Sequence, residues 1–222
     1  MNNSKWFSLL LFFTVLLCAE LHAQKLQNDV TVNYTITIEA SNENTALAKS
    51  LEGATFTVYL KGMQSRTDME SALGSETNLY DSKAGKGAIL KQYSGQKLMI
   101  TLTKDNWMQK NQFYQNMKFV IDDTEEMISG IKCKKATGKS PDGNPFVIYF
   151  ASDIKLLNKQ YDNGFGQLPG LPVRYEIQSG KLTFKYTLKT VNFDPVAGAK
   201  FEVPKAGFRV MTYDENQQLK KG

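Results

Sequence analysis

Acid–base and nucleophilic chemistry in proteins runs most often through histidine and cysteine, and this 222-residue chain has one histidine, His22, and two cysteines, Cys18 and Cys133. His22 and Cys18 both fall in an N-terminal stretch with the layout of a cleavable secretory signal. Lys5 precedes an apolar run over 7–17, and Leu21-His22-Ala23 follows it. Cleavage after Ala23 is expected, leaving 1–23 as the signal and 24–222 as one β-rich domain. A lipoprotein signal ending at Cys18 is the alternative, although Leu17 stands where such signals prefer a small residue. Either cut makes the chain a secreted one, expected in the periplasm, at the outer membrane or outside the cell. Cleavage after Ala23 also leaves the chain without a Ser-His-Asp or Cys-His arrangement and without the commonest ligand of catalytic zinc. The expectation is therefore a protein with no catalytic residue, no metal and no cofactor.

The remaining clusters have plain readings. Asp122-Asp123-Thr124-Glu125-Glu126 lacks the spacing and central glycine of a calcium loop and reads as a solvated turn between two apolar strands. Cys133, in phase with Ile131, reads as a small buried hydrophobe, although flanking Lys132 and Lys134 would suit a reactive thiol. Gly164 to Val173 is too rich in glycine and proline for regular structure and matches no phosphate-loop spacing. It reads as a rigid turn into a strand or as the rim of a cavity touched by Phe165 and Leu171. The net charge is +5. Its lysines are scattered, without the aromatic interleaving of a nucleic-acid platform, so no nucleic-acid partner is expected.

Period-two alternation dominates the elements that must position these residues. Val30, Val32, Tyr34, Ile36 and Ile38 alternate with polar residues, as do Ala54, Phe56, Val58 and Leu60, and Leu182, Phe184, Tyr186 and Leu188. Each run predicts an antiparallel strand with one buried face. Weaker runs cover 87–93, 97–103, 118–121, 127–136, 145–151 and 173–178, with short ones at 200–203 and 207–212. Hairpin signals such as Ser94-Gly95, Pro141-Asp142-Gly143-Asn144-Pro145 and Ser179-Gly180 separate them into a meander. Short helices are expected at 43–52 and 153–161, and 104–117 reads as a short helix or an ordered loop carrying Trp107 and Phe113. The apolar run at the N-terminus is too short for a transmembrane span. A long one-sided sheet with so few helices leaves an apolar face to be covered by curling, by a second sheet or by a ligand.

The order of segments resembles a known group. Ile128-Ser129-Gly130-Ile131-Lys132-Cys133-Lys134-Lys135 is followed by Ile148-Tyr149-Phe150-Ala151-Ser152-Asp153-Ile154. Then come Leu168-Pro169-Gly170-Leu171-Pro172 and Phe201-Glu202-Val203-Pro204-Lys205-Ala206-Gly207-Phe208. This pattern resembles an uncharacterised secreted bacterial family, the domain of unknown function numbered forty-four twelve. It is similar more distantly to the GLPGLI family, and both look like members of the LolA-like group of lipoprotein carriers. The resemblance implies a mainly β (α+β) fold: a curved antiparallel sheet or half-barrel, LolA-like, with a few short helices over its concave face. It implies no catalytic residue.

The function expected is non-enzymatic binding of an apolar ligand, such as a lipid, an acyl chain or a lipoprotein anchor, in the concavity of a curved sheet. Each methylene buried contributes about 0.8 kcal/mol, so an acyl chain binds without a polar anchor. The candidate lining residues are Tyr34, Ile36, Phe56, Val58, Ile100, Ile148, Phe150, Tyr175, Phe184 and Tyr186. A contiguous pocket of at least about 300 Å³, the lower end for ligand sites, is expected between the concave face and segments 43–52 and 153–161. Two alternatives stand beside this: an interaction module of the cell envelope with a self-filled core, docking a protein partner, and an enzyme using carboxylates or lysine.

Overall fold

The computed structural model describes residues 26–40, 45–112, 117–139, 143, 145–161 and 164–220. The signal-like segment and most of the Pro141–Pro145 turn lie outside the described residues. Fourteen strands and three short α-helices form the fold among those described. The first half of the chain is β1 (Leu26–Gln27), β2 (Asp29–Ala40), α1 (Thr45–Ser50), β3 (Thr55–Lys61), β4 (Gln64–Ser71), β5 (Gly74–Asp81), β6 (Lys86–Tyr93), β7 (Gln96–Thr103) and α2 (Lys104–Lys110). The second half is β8 (Phe119–Ile128), β9 (Ile131–Lys139), β10 (Pro145–Ala151), β11 (Lys155–Leu156), β12 (Leu171–Ser179), β13 (Leu182–Asn192), β14 (Arg209–Thr212) and α3 (Tyr213–Leu219).

Twelve of these strands make one open, curved sheet in the order β14-β7-β6-β5-β4-β3-β2-β13-β12-β10-β9-β8. Every neighbouring pair is antiparallel except β14 with β7. Two meanders explain the order. The chain starts at β2 near the middle and walks outward to β7. It then crosses through α2 to the far edge at β8 and walks back until β13 closes against β2, with Tyr186 opposite Ile36. The crossing lays α2 over the sheet's inner face.

Register carries one face through the whole sheet, because directly paired residues point the same way. Tyr34, Phe56, Met69 and Glu76 follow one another across β2 to β5, and Tyr34 in turn pairs with Leu188 on β13. The inner face therefore holds two apolar clusters. One gathers Val32, Tyr34, Val58, Ile148, Phe150 and Tyr175 from the sheet's centre and its β10 side. The other gathers Tyr80, Ile89, Ile100, Leu102, Trp107 and Tyr213 near β7. Between them β4 and β5 present Thr67 and Asn78, which face each other across the ladder.

β4 and β5 depart from the alternation expected of a half-buried strand. Apart from Met69 on β4 and Leu79 and Tyr80 on β5 they are polar, and cross-strand bonds help to hold them. Thr77 Oγ1 donates to Asp68 Oδ1 at 2.7 Å, Asn78 Nδ2 to Thr67 Oγ1 at 3.3 Å, and Lys91 pairs with Glu76 at 3.1 Å. The acidic cluster differs from the turn expected of it. Asp122 to Glu126 lies inside β8, with the register slipping between Asp122 and Glu125. Lys134 and Lys132 on β9 pair with Asp123 and Glu125, and an edge strand tolerates the bulge.

Helices form where a cap is available. Thr103 caps α2, with Asn106 returning the bond to the Thr103 backbone, and Thr212 caps α3 through Glu215 in the same way. The expected helix over 153–161 is absent. That stretch gives β11, which pairs in parallel with β1, and one 3₁₀ turn at Lys159–Tyr161. Likewise 200–203 is the end of a 3₁₀ turn, Gly198–Phe201, and not a strand. After β13 the chain crosses the outer face. Asp29 Oδ2 accepts the Val196 N–H at 2.9 Å, Arg66 donates to the Lys200 carbonyl at 3.0 Å, and Phe208 packs on Leu79, Ala88 and Leu90.

Candidate functional site

The site is a cleft of about 190 Å³ on the inner face, where the two apolar clusters meet. Phe56, Thr67 and Asn78 form its floor on β3, β4 and β5. One wall is the end of α2, with Trp107, Lys110 and Asn111; the other is Phe146, Tyr161, Gly164, Phe165 and Ile177. Its lining is mostly aromatic and aliphatic, and among the described residues Lys110 is its one charged residue.

Local contacts fix each wall. The Trp107 indole lies flat on the Tyr80 ring, with centroids 4.3 Å apart and planes 6° off parallel, and Lys110 Nζ sits 5.5 Å from the indole centroid. Asn111 Nδ2 donates to the Trp107 carbonyl at 2.8 Å, which closes the helix end. On the opposite side a run of rings passes from Phe146 to Phe165 (6.3 Å), Tyr175 (4.6 Å) and Tyr186 (4.8 Å, stacked). Phe56 and Tyr34 continue it, and the Tyr34 hydroxyl donates to the Pro172 carbonyl at 2.8 Å.

Two buried polar atoms of residues that line the cleft have no hydrogen-bond partner among the described residues: the indole Nε1 of Trp107, a donor, and the carboxamide Oδ1 of Asn78, an acceptor. Asn78 spends its amide nitrogen on Thr67 and Glu76, which fixes the oxygen as the idle group. An unsatisfied buried polar group costs about 1–3 kcal/mol. Both atoms are fully buried, sealed from the cleft by their neighbours.

The ten candidate residues are placed as follows. Phe56 lines the cleft. Ile36 lines a second, more open and polar groove of about 450 Å³ between β2 and α1, with Ile38, Ala48, Lys49 and Glu52. Tyr34, Val58, Ile148, Phe150, Tyr175 and Tyr186 are buried in the central cluster, and Phe184 packs partly buried against it. Ile100 belongs to the cluster near β7. The single pocket expected over segments 43–52 and 153–161 is instead two separate spaces, because the Tyr34, Phe56, Tyr175 and Tyr186 rings fill the ground between.

Trp107, Lys110 and Asn111 reach the site only because α2 crosses the sheet, and no local pattern in the sequence carries that. Thr67 and Asn78 sit on strands whose polarity hides them. Phe165 was marked in the sequence as a rim contact. Leu171, marked with it, is fully buried at the start of β12. Cys133 is buried too. Burial pushes its thiol pKa up, more than the backbone contact and Arg174 draw it down. Among the described residues no group of three His, Cys, Asp or Glu side chains is placed to hold a metal.

No protein-family model matches the chain, and no curated protein does. Among solved structures it is similar to PNGF-II, with a TM-score of 0.50 at 11% identity over 86% of this chain. The likeness shows the fold alone, and the chain spans about a third of PNGF-II, 33% of its length. MucB aligns at a TM-score of 0.37 and 10% identity, covering 81% of this chain and 58% of its own. LprF from Mycobacterium bovis aligns at 0.35 and 14%, covering 78% and 89%.

Proposed function

We propose that this protein is a non-enzymatic binding module of the bacterial cell envelope that holds the end of an apolar group, such as an acyl chain of a lipid or lipoprotein anchor, in the inner-face cleft. The signal-like N-terminus supports the location. The cleft itself carries the reading: an aromatic-walled gap at the meeting of two apolar clusters, more apolar and more enclosed than the groove beside α1. Its 190 Å³ is below the usual lower end for ligand sites, about 300 Å³, so it takes the last several carbons of a chain and leaves the rest outside.

Titration with a fluorescent fatty-acid analogue tests this. Saturable binding is expected, with loss in Phe165→Asp and Phe56→Asp when circular dichroism shows the variants folded, and no change in Leu219→Asp on the exposed end of α3. Binding that survives both cleft substitutions contradicts the proposal.

The second reading, an interaction module with a self-filled core, draws on the edge strand β8. It exposes Val120 (74%) and Met127 (66%) beside a core whose rings pack on one another. Failure of every apolar probe, with retention of an envelope protein on the immobilised chain, favours it.

A further inference from the structure

The cleft holds the end of a chain, and the strand register marks a path for the rest of it. Ile177, on the cleft wall, stands directly opposite Phe184 on β13, and Phe184 stands opposite Ile38 on β2. Paired residues point to the same face, so the three side chains form one row across the inner face. Each of them is only partly buried. Ile38 is in turn a wall of the 450 Å³ groove beside α1. The Tyr34, Phe56, Tyr175 and Tyr186 rings fill the ground between cleft and groove, and the row runs past them as a half-open apolar track from one to the other.

The two ends of the track differ in polarity. Rings and aliphatic side chains wall the cleft, whereas Thr37, Lys49 and Glu52 stand beside Ile36 and Ile38 in the open groove. An apolar end, an apolar track and a polar mouth match the parts of an extended amphiphile. From β12 to β2 is two strand spacings, about 10 Å, and an extended chain advances about 1.2 Å per bond, so about eight carbons cover the track. The cleft's 190 Å³ is about six times the ~30 Å³ share of one water, which is close to the size of a methylene.

We propose that the inner face binds one long-chain amphiphile of about 14 carbons or more, with its methyl end in the cleft, its chain along Ile177, Phe184 and Ile38, and its polar head at the α1 groove. This rests on the cleft being the binding site. The acyl chain of a lipid and that of a lipoprotein anchor share this chemistry.

Displacement of the fluorescent fatty-acid analogue from the full exported chain by octanoate and by tetradecanoate measures the track. Full burial of a methylene is worth about fourfold and a half-open track about twofold, so tetradecanoate is expected to bind about sixtyfold tighter. Phe184→Asn, at mid-track, should cut that ratio at least about fivefold, Ile38→Asn should lower it too, and both should leave octanoate binding unchanged. Trp107 on the cleft wall reads the direction: tetradecanoate brominated beside its methyl end should quench it saturably, and tetradecanoate brominated beside its carboxylate should not. A tetradecanoyl lysophospholipid and an N-tetradecanoyl-cysteine peptide, run as competitors, separate the two sources, the tighter binder naming the lipid or the lipoprotein.

A wild-type ratio below about fivefold overturns the track, because the chain beyond the cleft then lies in water. Equal quenching by the two brominated acids overturns it as well, as does a ratio that folded Phe184→Asn and Ile38→Asn both leave unchanged. If those variants do not fold, the wild-type ratio and the brominated pair decide. Octanoate binding that is absent, or indifferent to Phe165→Asp, is a different failure, that of the cleft as a site.

Discussion

Burial holds the Cys133 thiol above its ordinary pKa, so at neutral pH it is a thiol and not the nucleophilic thiolate. The native protein is expected to react with a thiol reagent far more slowly than the denatured chain; labelling at equal rates contradicts this. Asp29 is the more telling residue. Desolvation alone would raise its pKa, but the Val196 N–H and the Lys61 ammonium outweigh it, and the carboxyl titrates below its usual value. A carboxylate whose folded pKa is depressed adds stability above its unfolded pKa, near 4, and loses it as the pH falls through the folded value. Asp29→Asn should therefore cost about 1 kcal/mol at pH 7, the scale of a charged hydrogen bond discounted for its half-exposed lysine partner, and the gap to wild type should narrow below pH 4. Denaturant titrations at pH 7 and pH 3 read both numbers. At this scale alternation put Tyr34 and Tyr186 on the buried face of strong strands, and Phe150 on that of a weaker one, but all three, expected as ligand contacts, are core residues. Asn78 and Trp107 were out of reach because an unpaired atom is a property of three-dimensional neighbours.

The element that ties the outer face is the crossing from Asn192 to Arg209. Phe208 fills the gap over Leu79, Ala88 and Leu90, and β14 then pairs with β7 as a parallel edge strand. Phe208→Ala should lower stability by about 1–2 kcal/mol, the value of a partly buried aromatic side chain, without altering the inner-face cleft. Thermal melts and analogue binding, read together, test both halves of that statement. Gly170 does a comparable service inside. A Cβ there would run into the Ala151 carbonyl, where the Leu168–Pro172 segment lies against the end of β10. Gly170→Ala should cost about 1–3 kcal/mol by overpacking. Elements with one wet and one dry face were legible in the sequence: β2, β3 and β13 stand where alternation placed them. β4 and β5 were not, because polar cross-strand bonds replace the apolar alternation over most of their length and their few apolar residues, Met69, Leu79 and Tyr80, set no hydrophobic period. The stretch 153–161 read as a helix, with Ile154, Leu157 and Tyr161 suggesting one helical face, but pairing of β11 with β1 won over local propensity.

At the scale of the molecule, the meander, the open curved sheet and the scarcity of helices follow from strand patterning and short turns. The cleft follows from none of these. It exists because α2, carried across the sheet by the β7-to-β8 crossing, and the Gly164-Phe165 turn approach the polar seam of β4 and β5 from opposite sides. Apart from Trp6 in the signal-like segment, Trp107 is the only tryptophan, and it forms one wall of the cleft. Its fluorescence is therefore a built-in reporter for the central claim. The most direct measurement titrates the exported protein with an octanoyl chain brominated near its methyl end, because bromine quenches only an indole that it nearly touches. Saturable quenching of Trp107, relieved by unbrominated octanoate and lost in Phe165→Asp, is the result expected. Quenching that rises linearly with bromide concentration and is indifferent to Phe165→Asp would contradict the cleft as a binding site.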